Sequence, residues 1–144
     1  MEKRFPIFLI LMPLLVLAQS PRRDENYPPP DFLKRFITMH DVCVGKTGVS
    51  EDAIKEFSDG EIVENDELKC YMHCIFQEMH VVDDNDEMDY NKLKSHLPAE
   101  MEDFVVNILN VCESHVPQGA NQCERSWSWH MCFKTTDPVH YFLP

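Results

Sequence analysis

Apolar residues recur at helical spacing through most of the chain. Residues 66 to about 80 are apolar around most of the helix circumference, which is typical of a helix packed at the centre of a domain. Residues 101 to 112 have one strongly apolar face, made by Met101, Val105, Ile108, Leu109 and Cys112. The pattern therefore predicts an all-α fold with a central helix.

Capping residues and helix breakers delimit the other predicted helices. Asp31 is a good N-cap for a first helix, which Gly45 and Gly48 should end. Ser50 should cap a short helix that closes at Gly60. The remaining predicted helices run from Asp89 to Leu97, before Pro98, and from Asn121 to about Lys134.

The first 18 residues have the pattern of a secretory signal peptide. Lys3 and Arg4 precede an apolar run from Phe5 to Leu17, and Ala18 supplies a small residue for cleavage. The run is shorter than the ~20 residues needed to span a bilayer. We therefore expect cleavage after Ala18, an extracellular product and a single domain over residues 19–144.

Charge and composition exclude several classes of function. The chain has 25 acidic and 13 basic residues, a formal net charge of −12, without a basic run. Nucleic acid is therefore not expected as a partner. The acidic residues Asp83, Asp84, Asp86 and Asp89 lack the glycine and the spaced Glu of a calcium loop, which favours a solvated turn. We expect neither a metal nor a cofactor.

One short motif resembles that of an enzyme. His40-Asp41-x-Cys43 is similar to the helix of secreted phospholipases, in which such a His activates water beside a calcium-binding Asp. The glycine-rich calcium loop and the adjacent cysteine pair are missing, and the chain has no Ser/His/Asp order or phosphate loop. The sequence therefore predicts a protein that is not an enzyme.

The six cysteines carry the strongest signal. An even number in an exported chain indicates disulfides, and six cysteines allow 15 pairings. Cys70 and Cys74 lie one turn apart on a helix and should not pair with each other, which leaves twelve pairings open. Cys70, Cys74 and His73 could also form part of a metal site, but in an oxidising compartment this interpretation is weaker than disulfide bonding. The cysteines are Cys43, Cys70, Cys74, Cys112, Cys123 and Cys132.

The cysteine spacing resembles that of insect odorant-binding proteins, the pheromone and general odorant-binding family. Three residues separate the second and third cysteines, and eight separate the fifth and sixth. The resemblance covers the whole expected mature chain and is closest to dipteran antennal members. It is carried by Arg22-Arg23-Asp24, Tyr27-Pro28-Pro29-Pro30, Gly45-Lys46-Thr47-Gly48-Val49, Leu68-Lys69-Cys70-Tyr71, Val81-Val82-Asp83-Asp84-Asn85, Asp137-Pro138 and His140-Tyr141-Phe142-Leu143.

The resemblance implies six helices around an apolar cavity, with residues 135–144 as a C-terminal tail over it. It implies the bridges Cys43–Cys74, Cys70–Cys123 and Cys112–Cys132. The family's ligand-binding positions fall on Tyr90, Leu93, Leu97, Met101, Val105, Ile108, His130, Phe133, Tyr141 and Phe142. Close relatives have Trp after the sixth cysteine, whereas this chain has Phe133. Trp127 and Trp129 are spaced so that they cannot both face the cavity.

The implied function is a carrier of small hydrophobic odorants or pheromones in sensillum lymph, which delivers them to olfactory receptors at the neuron membrane. Dimers are common among relatives, and a homodimer is left open. Two alternatives remain: a secreted disulfide-rich interaction or inhibitor domain, and a carrier of non-odorant lipophilic ligands. The long amphipathic helices between cysteines favour a carrier over an inhibitor with an exposed rigid loop.

The resemblance also implies a pH latch. In close relatives the terminal carboxylate is held by groups at the positions of His40 and Tyr71, which here would anchor Pro144 and lay the tail over the cavity. Falling pH charges histidines and then neutralises the carboxylate. We therefore expect the lid to loosen and ligand affinity to fall at least tenfold, about 1.4 kcal/mol, between pH 7 and 5.

Overall fold

A computed structural model describes residues 19–85, 87–116 and 120–144. The expected signal peptide, residues 1–18, lies outside them. The described residues form seven α-helices and a 3₁₀ turn, Glu113–His115, without an extended strand. The helices are α1 Pro30–Leu33, α2 Phe36–Thr47, α3 Glu51–Asp59, α4 Asp66–Glu78, α5 Tyr90–His96, α6 Ala99–Cys112 and α7 Gln122–Thr136.

The all-α fold is confirmed, but the first predicted helix is two helices in the structure. It begins at Pro30, whose fixed φ suits the first turn, so that Asp31 lies inside the helix and is not its cap. The Arg35 N–H bonds to the Phe32 carbonyl three residues back, which breaks the four-residue ladder before α2 begins. Gly45 lies within α2, and Gly48, at φ 71°, ends it in the left-handed conformation.

The predicted starts of the later helices are confirmed, and each has a side-chain cap. The Ser50 hydroxyl accepts the Ala53 N–H at 3.2 Å, as predicted, and the Asn121 side chain accepts the Glu124 N–H at 2.9 Å. The structure adds a cap at Asp89, which accepts the Lys92 N–H of α5 at 3.0 Å. Each side-chain oxygen satisfies a backbone donor that the helix start leaves unpaired.

The central helix of the prediction is α4, which packs against α2 and α7. Leu68, Tyr71 and Met72 are completely buried on it. Of the two tryptophans on α7, Trp129 is buried and Trp127 is half-buried.

Three disulfides link four of the helices and confirm the implied pairing. Cys43–Cys74 joins α2 to α4, Cys70–Cys123 joins α4 to α7, and Cys112–Cys132 joins α6 to α7. The bridges therefore hold α2, α4, α7 and α6 as one covalent frame. Helices α1, α3 and α5 have no cysteine and are held by side-chain packing and hydrogen bonds.

Among the described helices, none has the length and apolar character needed to cross a bilayer.

Candidate ligand-binding site

An apolar cavity of about 130 Å³ lies inside the covalent frame, beneath the C-terminal tail. This volume is close to the ~150 Å³ of an engineered apolar cavity that binds benzene. Nine of the ten side chains expected to bind ligand line it, and their contact with a ligand stays a prediction. They are Leu93, Leu97, Met101, Val105, Ile108, His130, Phe133, Tyr141 and Phe142.

Tyr90 is the exception, because it does not line the cavity. Its ring meets Trp129 edge-on, with centroids 6.4 Å apart, in a separate cleft shared with Glu113 and Arg125. Burial, followed by a hydrogen bond with Glu113, raises the pKa of Tyr90 to about 12.

The opposite wall of the cavity was missed from sequence. It consists of two aromatic residues of α1 and α2, two residues of α4 and Met79 just after it, and Phe104 of α6. Two residues of the C-terminal tail and Tyr27 of the N-terminal arm, residues 21–29, complete it. Two signals could have found part of it: the helical spacing of Phe32 and Phe36, and the broad apolar surface of α4. The missed side chains are Tyr27, Phe32, Phe36, Ile75, Phe76, Met79, Phe104, Asp137 and His140.

The C-terminal tail closes one side of the cavity. Tyr141 and Leu143 are buried at 7% and 5% exposure, and Phe142 meets Phe32 and Phe36 edge-on. The Leu143 N–H donates to the Ser58 hydroxyl of α3 at 3.0 Å. The tail is therefore a packed wall of the cavity and not a loose end.

The N-terminal arm also holds the tail. The Arg22 N–H donates to the Val139 carbonyl at 2.7 Å, and the Arg23 guanidinium donates to the Tyr141 carbonyl at 2.8 Å. The Tyr27 hydroxyl donates to the His140 carbonyl. Arg23 also bonds Asp59 of α3, so that the arm, α3 and the tail form one layer.

Of the two residues expected to anchor Pro144, Tyr71 alone bonds directly to it in the described structure. Its hydroxyl donates to the Pro144 backbone oxygen, and burial raises the Tyr71 pKa, which keeps the hydroxyl protonated. His40 reaches Pro144 only through Tyr71, since its Nδ1 bonds the Tyr71 oxygen at 2.8 Å. The other ring nitrogen, Nε2, lies 2.9 Å from Glu51.

Two pairs of polar side chains meet at the cavity. His140 Nδ1 lies 2.8 Å from an Asp137 carboxylate oxygen at the rim. Deeper, His130 Nδ1 lies 2.8 Å from the Tyr141 hydroxyl. Complete burial lowers the pKa of His130 to about 3, so its ring is neutral at physiological pH. The rest of the lining is apolar, which suits a small hydrophobic molecule.

Comparison with known proteins identifies the family. The model of the PBP/GOBP family matches residues 27–136. This chain belongs to the PBP/GOBP family. It is 25% identical over 132 residues to general odorant-binding protein 69a of Drosophila melanogaster. The alignment covers 91% of this chain and 86% of the relative.

Solved structures of insect odorant-binding proteins share the fold. Odorant binding protein 5 of Apis mellifera is 19% identical with a TM-score of 0.70, over 79% of this chain and 96% of that one. Odorant binding protein 7 of Anopheles gambiae, solved with four disulfide bridges and an azo compound, is 24% identical with a TM-score of 0.66. That alignment covers 76% of this chain and 88% of the Anopheles protein.

In this PBP/GOBP protein an outer groove of about 750 Å³ adjoins the cavity. Tyr27, Phe32, Met101 and Phe104 line both spaces, and they separate the apolar interior from a polar mouth. Arg22, Asn26 and Arg35 lie in this mouth.

The acidic turn of this family member is held by its own backbone. Asp83 accepts the N–H groups of Glu87 and Asn85 at 3.0 and 2.8 Å, and these two hydrogen bonds lower the pKa of its carboxyl. The described residues contain no cluster of three side chains placed to bind a metal ion. Asp86 lies outside the described residues.

Proposed function

We propose that this protein is an extracellular carrier of small hydrophobic odorants or pheromones, which it takes through sensillum lymph to olfactory receptors. Family membership suggests a carrier of small hydrophobic ligands. The apolar cavity closed by Tyr141, Phe142 and Leu143 is the observation that carries the proposal. Its function is binding without chemistry, after export by the expected signal peptide.

Displacement of a fluorescent apolar probe tests the carrier. Small indoles, ketones and alcohols are added to the probe complex of the oxidised protein, and the fluorescence is followed. Displacement by some of these classes supports the carrier, and a failure of every class to displace a bound probe would contradict it. Displacement only by long-chain lipids would support a carrier of non-odorant lipophilic ligands. A secreted inhibitor would leave the probe unbound.

Phe142→Ala should weaken apolar ligands by about 1–3 kcal/mol, because it removes one aromatic wall of the cavity. Phe142 packs edge-on against Tyr27, Phe32 and Phe36 and is half-buried. The control, Asp84→Ala in the exposed acidic turn, should leave affinity unchanged. Equal losses in the two variants, or none in either, would show that Phe142 is not part of the site. Probe displacement gives both affinities.

Acid release is the second part of the proposal, and His130 supports it better than His40. The Tyr71 hydroxyl donates to Pro144, and the two ring nitrogens of His40 lie at hydrogen-bond distance from Tyr71 and Glu51. Nδ1 of His140 is likewise bonded to Asp137. Both rings are partly exposed and already have hydrogen-bond partners, whereas His130 is buried under the tail.

Burial makes His130 the group whose protonation depends on the tail. It must stay neutral to remain buried under Tyr141, whereas an exposed His takes up a proton below about pH 6.5. Because its pKa in the closed protein is about 3, the open state binds more protons between these values. Above about pH 6.5 neutral His130 does not oppose closure of the tail. As the pH falls from 6.5 towards 3, proton uptake by the open state progressively lowers the stability of the closed state. Acid therefore favours opening of the tail. The contacts of Arg23 and Lys134 with Tyr141 oppose this opening.

We expect the affinity for one apolar ligand to fall at least tenfold, about 1.4 kcal/mol, from pH 7 to 5. A variant that lacks residues 141–144 should lose most of this dependence, since the cover over His130 is gone. Probe titrations at each pH measure it, and circular dichroism checks that the truncated protein is folded. A folded truncated protein that keeps the full pH slope would exclude the latch.

A further inference from the structure

His130 has one hydrogen-bonding atom that the protein leaves without a partner. It lies on α7 with 5% exposure, and its ring stacks on Phe76 with centroids 4.8 Å apart. Phe133 and Tyr141 meet it edge-on at 5.9 Å. Nδ1 bonds the Tyr141 hydroxyl, whereas Nε2 is buried with no hydrogen-bond partner among the described residues. His130 is one of the residues that line the cavity, and a buried polar atom without a partner is rare in native proteins and needs an explanation.

The hydroxyl of Tyr141 determines which ring nitrogen carries the proton. Buried His130 is neutral and has one N–H. If Tyr141 donates to Nδ1, its own proton is paired and the ring proton sits on Nε2. If Nδ1 donates instead, the Tyr141 proton and Nε2 are both unpaired in an apolar site. The first arrangement leaves fewer buried groups unsatisfied, so Nε2 is a donor.

We infer that the His130 Nε2–H donates a hydrogen bond to the carbonyl oxygen of the ligand, which selects small apolar ketones, aldehydes and esters. A carbonyl accepts without a proton of its own, so it brings no unpaired donor into the cavity. The other polar pair at the cavity, Asp137 and His140, is already bonded to itself. This inference rests on the carrier function and names its ligand class.

A pair of shape-matched probes separates the hydrogen bond from hydrophobic burial. The probes are 2-heptanone and 2-methyl-1-heptene, in which a CH₂ group replaces the carbonyl oxygen. Displacement of the fluorescent probe gives the ratio of their affinities in wild type and in His130→Phe. The variant should lower the ketone-to-alkene ratio roughly three- to tenfold, the size of one neutral hydrogen bond, and should bind the alkene at least as well as wild type. An unchanged ratio would overturn the inference.

A measurement on the unmodified protein covers the case in which His130→Phe does not fold. Nitrogen NMR of the labelled, oxidised protein reports which ring nitrogen of His130 is protonated. We expect the proton on Nε2 and a shift of that signal with the ketone but not with the alkene. A proton on Nδ1, or the same response to both probes, would overturn the inference. If wild type binds neither compound nor the fluorescent probe, the carrier function itself fails; binding of both with an unchanged ratio removes only the role of His130.

Discussion

Replacement of Cys70 and Cys123 together by alanine should lower the free energy of unfolding by about 4 kcal/mol. The bridge closes a span of 53 residues, the longest of the three, and the entropy that a cross-link removes from the unfolded chain grows with the span. It also fixes the start of α7 to the central helix. A loss of this size is a large share of the ~5–15 kcal/mol typical of a domain.

The matched comparison is the double alanine variant of Cys112 and Cys132. That bridge spans 20 residues, so the same relation gives a smaller loss of about 3 kcal/mol. Urea unfolding followed by circular dichroism measures both variants and the wild type under oxidising conditions. A larger loss from the shorter bridge would show that packing around the cysteines, and not the span, determines their contribution.

Phe57→Ala should cost about 3–5 kcal/mol of folding stability and should also weaken ligand binding. The ring is completely buried and contacts Trp127 and Tyr141, with centroids 5.0 and 5.9 Å away. No disulfide reaches α3, so this side chain is a main attachment of the helix. Since Ser58 on the same helix holds Leu143, loss of the ring should release the tail as well.

Ile37→Ala is the control for Phe57→Ala. Ile37 is 60% exposed on α2, and its truncation should change stability by less than about 0.5 kcal/mol. Thermal unfolding and probe displacement are measured for both variants. A Phe57→Ala protein that loses stability but binds the probe with wild-type affinity would show that α3 does not support the tail.

Local signals in the sequence account for most of the fold. Ser50, Asp89 and Asn121 cap their helices because a side-chain oxygen three residues before a free N–H is a purely local arrangement. The disulfide pairing is different: the residues alone left twelve pairings, and resemblance to the family supplied the one that the structure has. Pairing depends on which helices meet, which helical periodicity does not specify.

The cavity shows the same division between local and tertiary information. Leu93 and Met101 lie on apolar faces that periodicity reveals, and both line the cavity. Tyr90 lies instead in a cleft with Glu113, 23 positions later in the sequence numbering, so its departure from the cavity has no local signal. Tyr27 also lines the cavity, and its hydroxyl bonds the carbonyl of His140, which lies 113 positions later in the sequence. Such contacts follow from the assembled fold.

The covalent frame divides the molecule into a preorganised part and an adjustable part. The disulfide-linked helices supply Ile75, Phe76 and Ile108, whose positions are fixed before a ligand arrives. Residues on the unbridged elements, such as Phe32, Leu93 and Phe142, complete the cavity. Binding therefore loses conformational entropy mainly in the unbridged elements, since the frame is ordered already. Molecules of different shape can be accommodated by small shifts of these elements, while the frame keeps its structure.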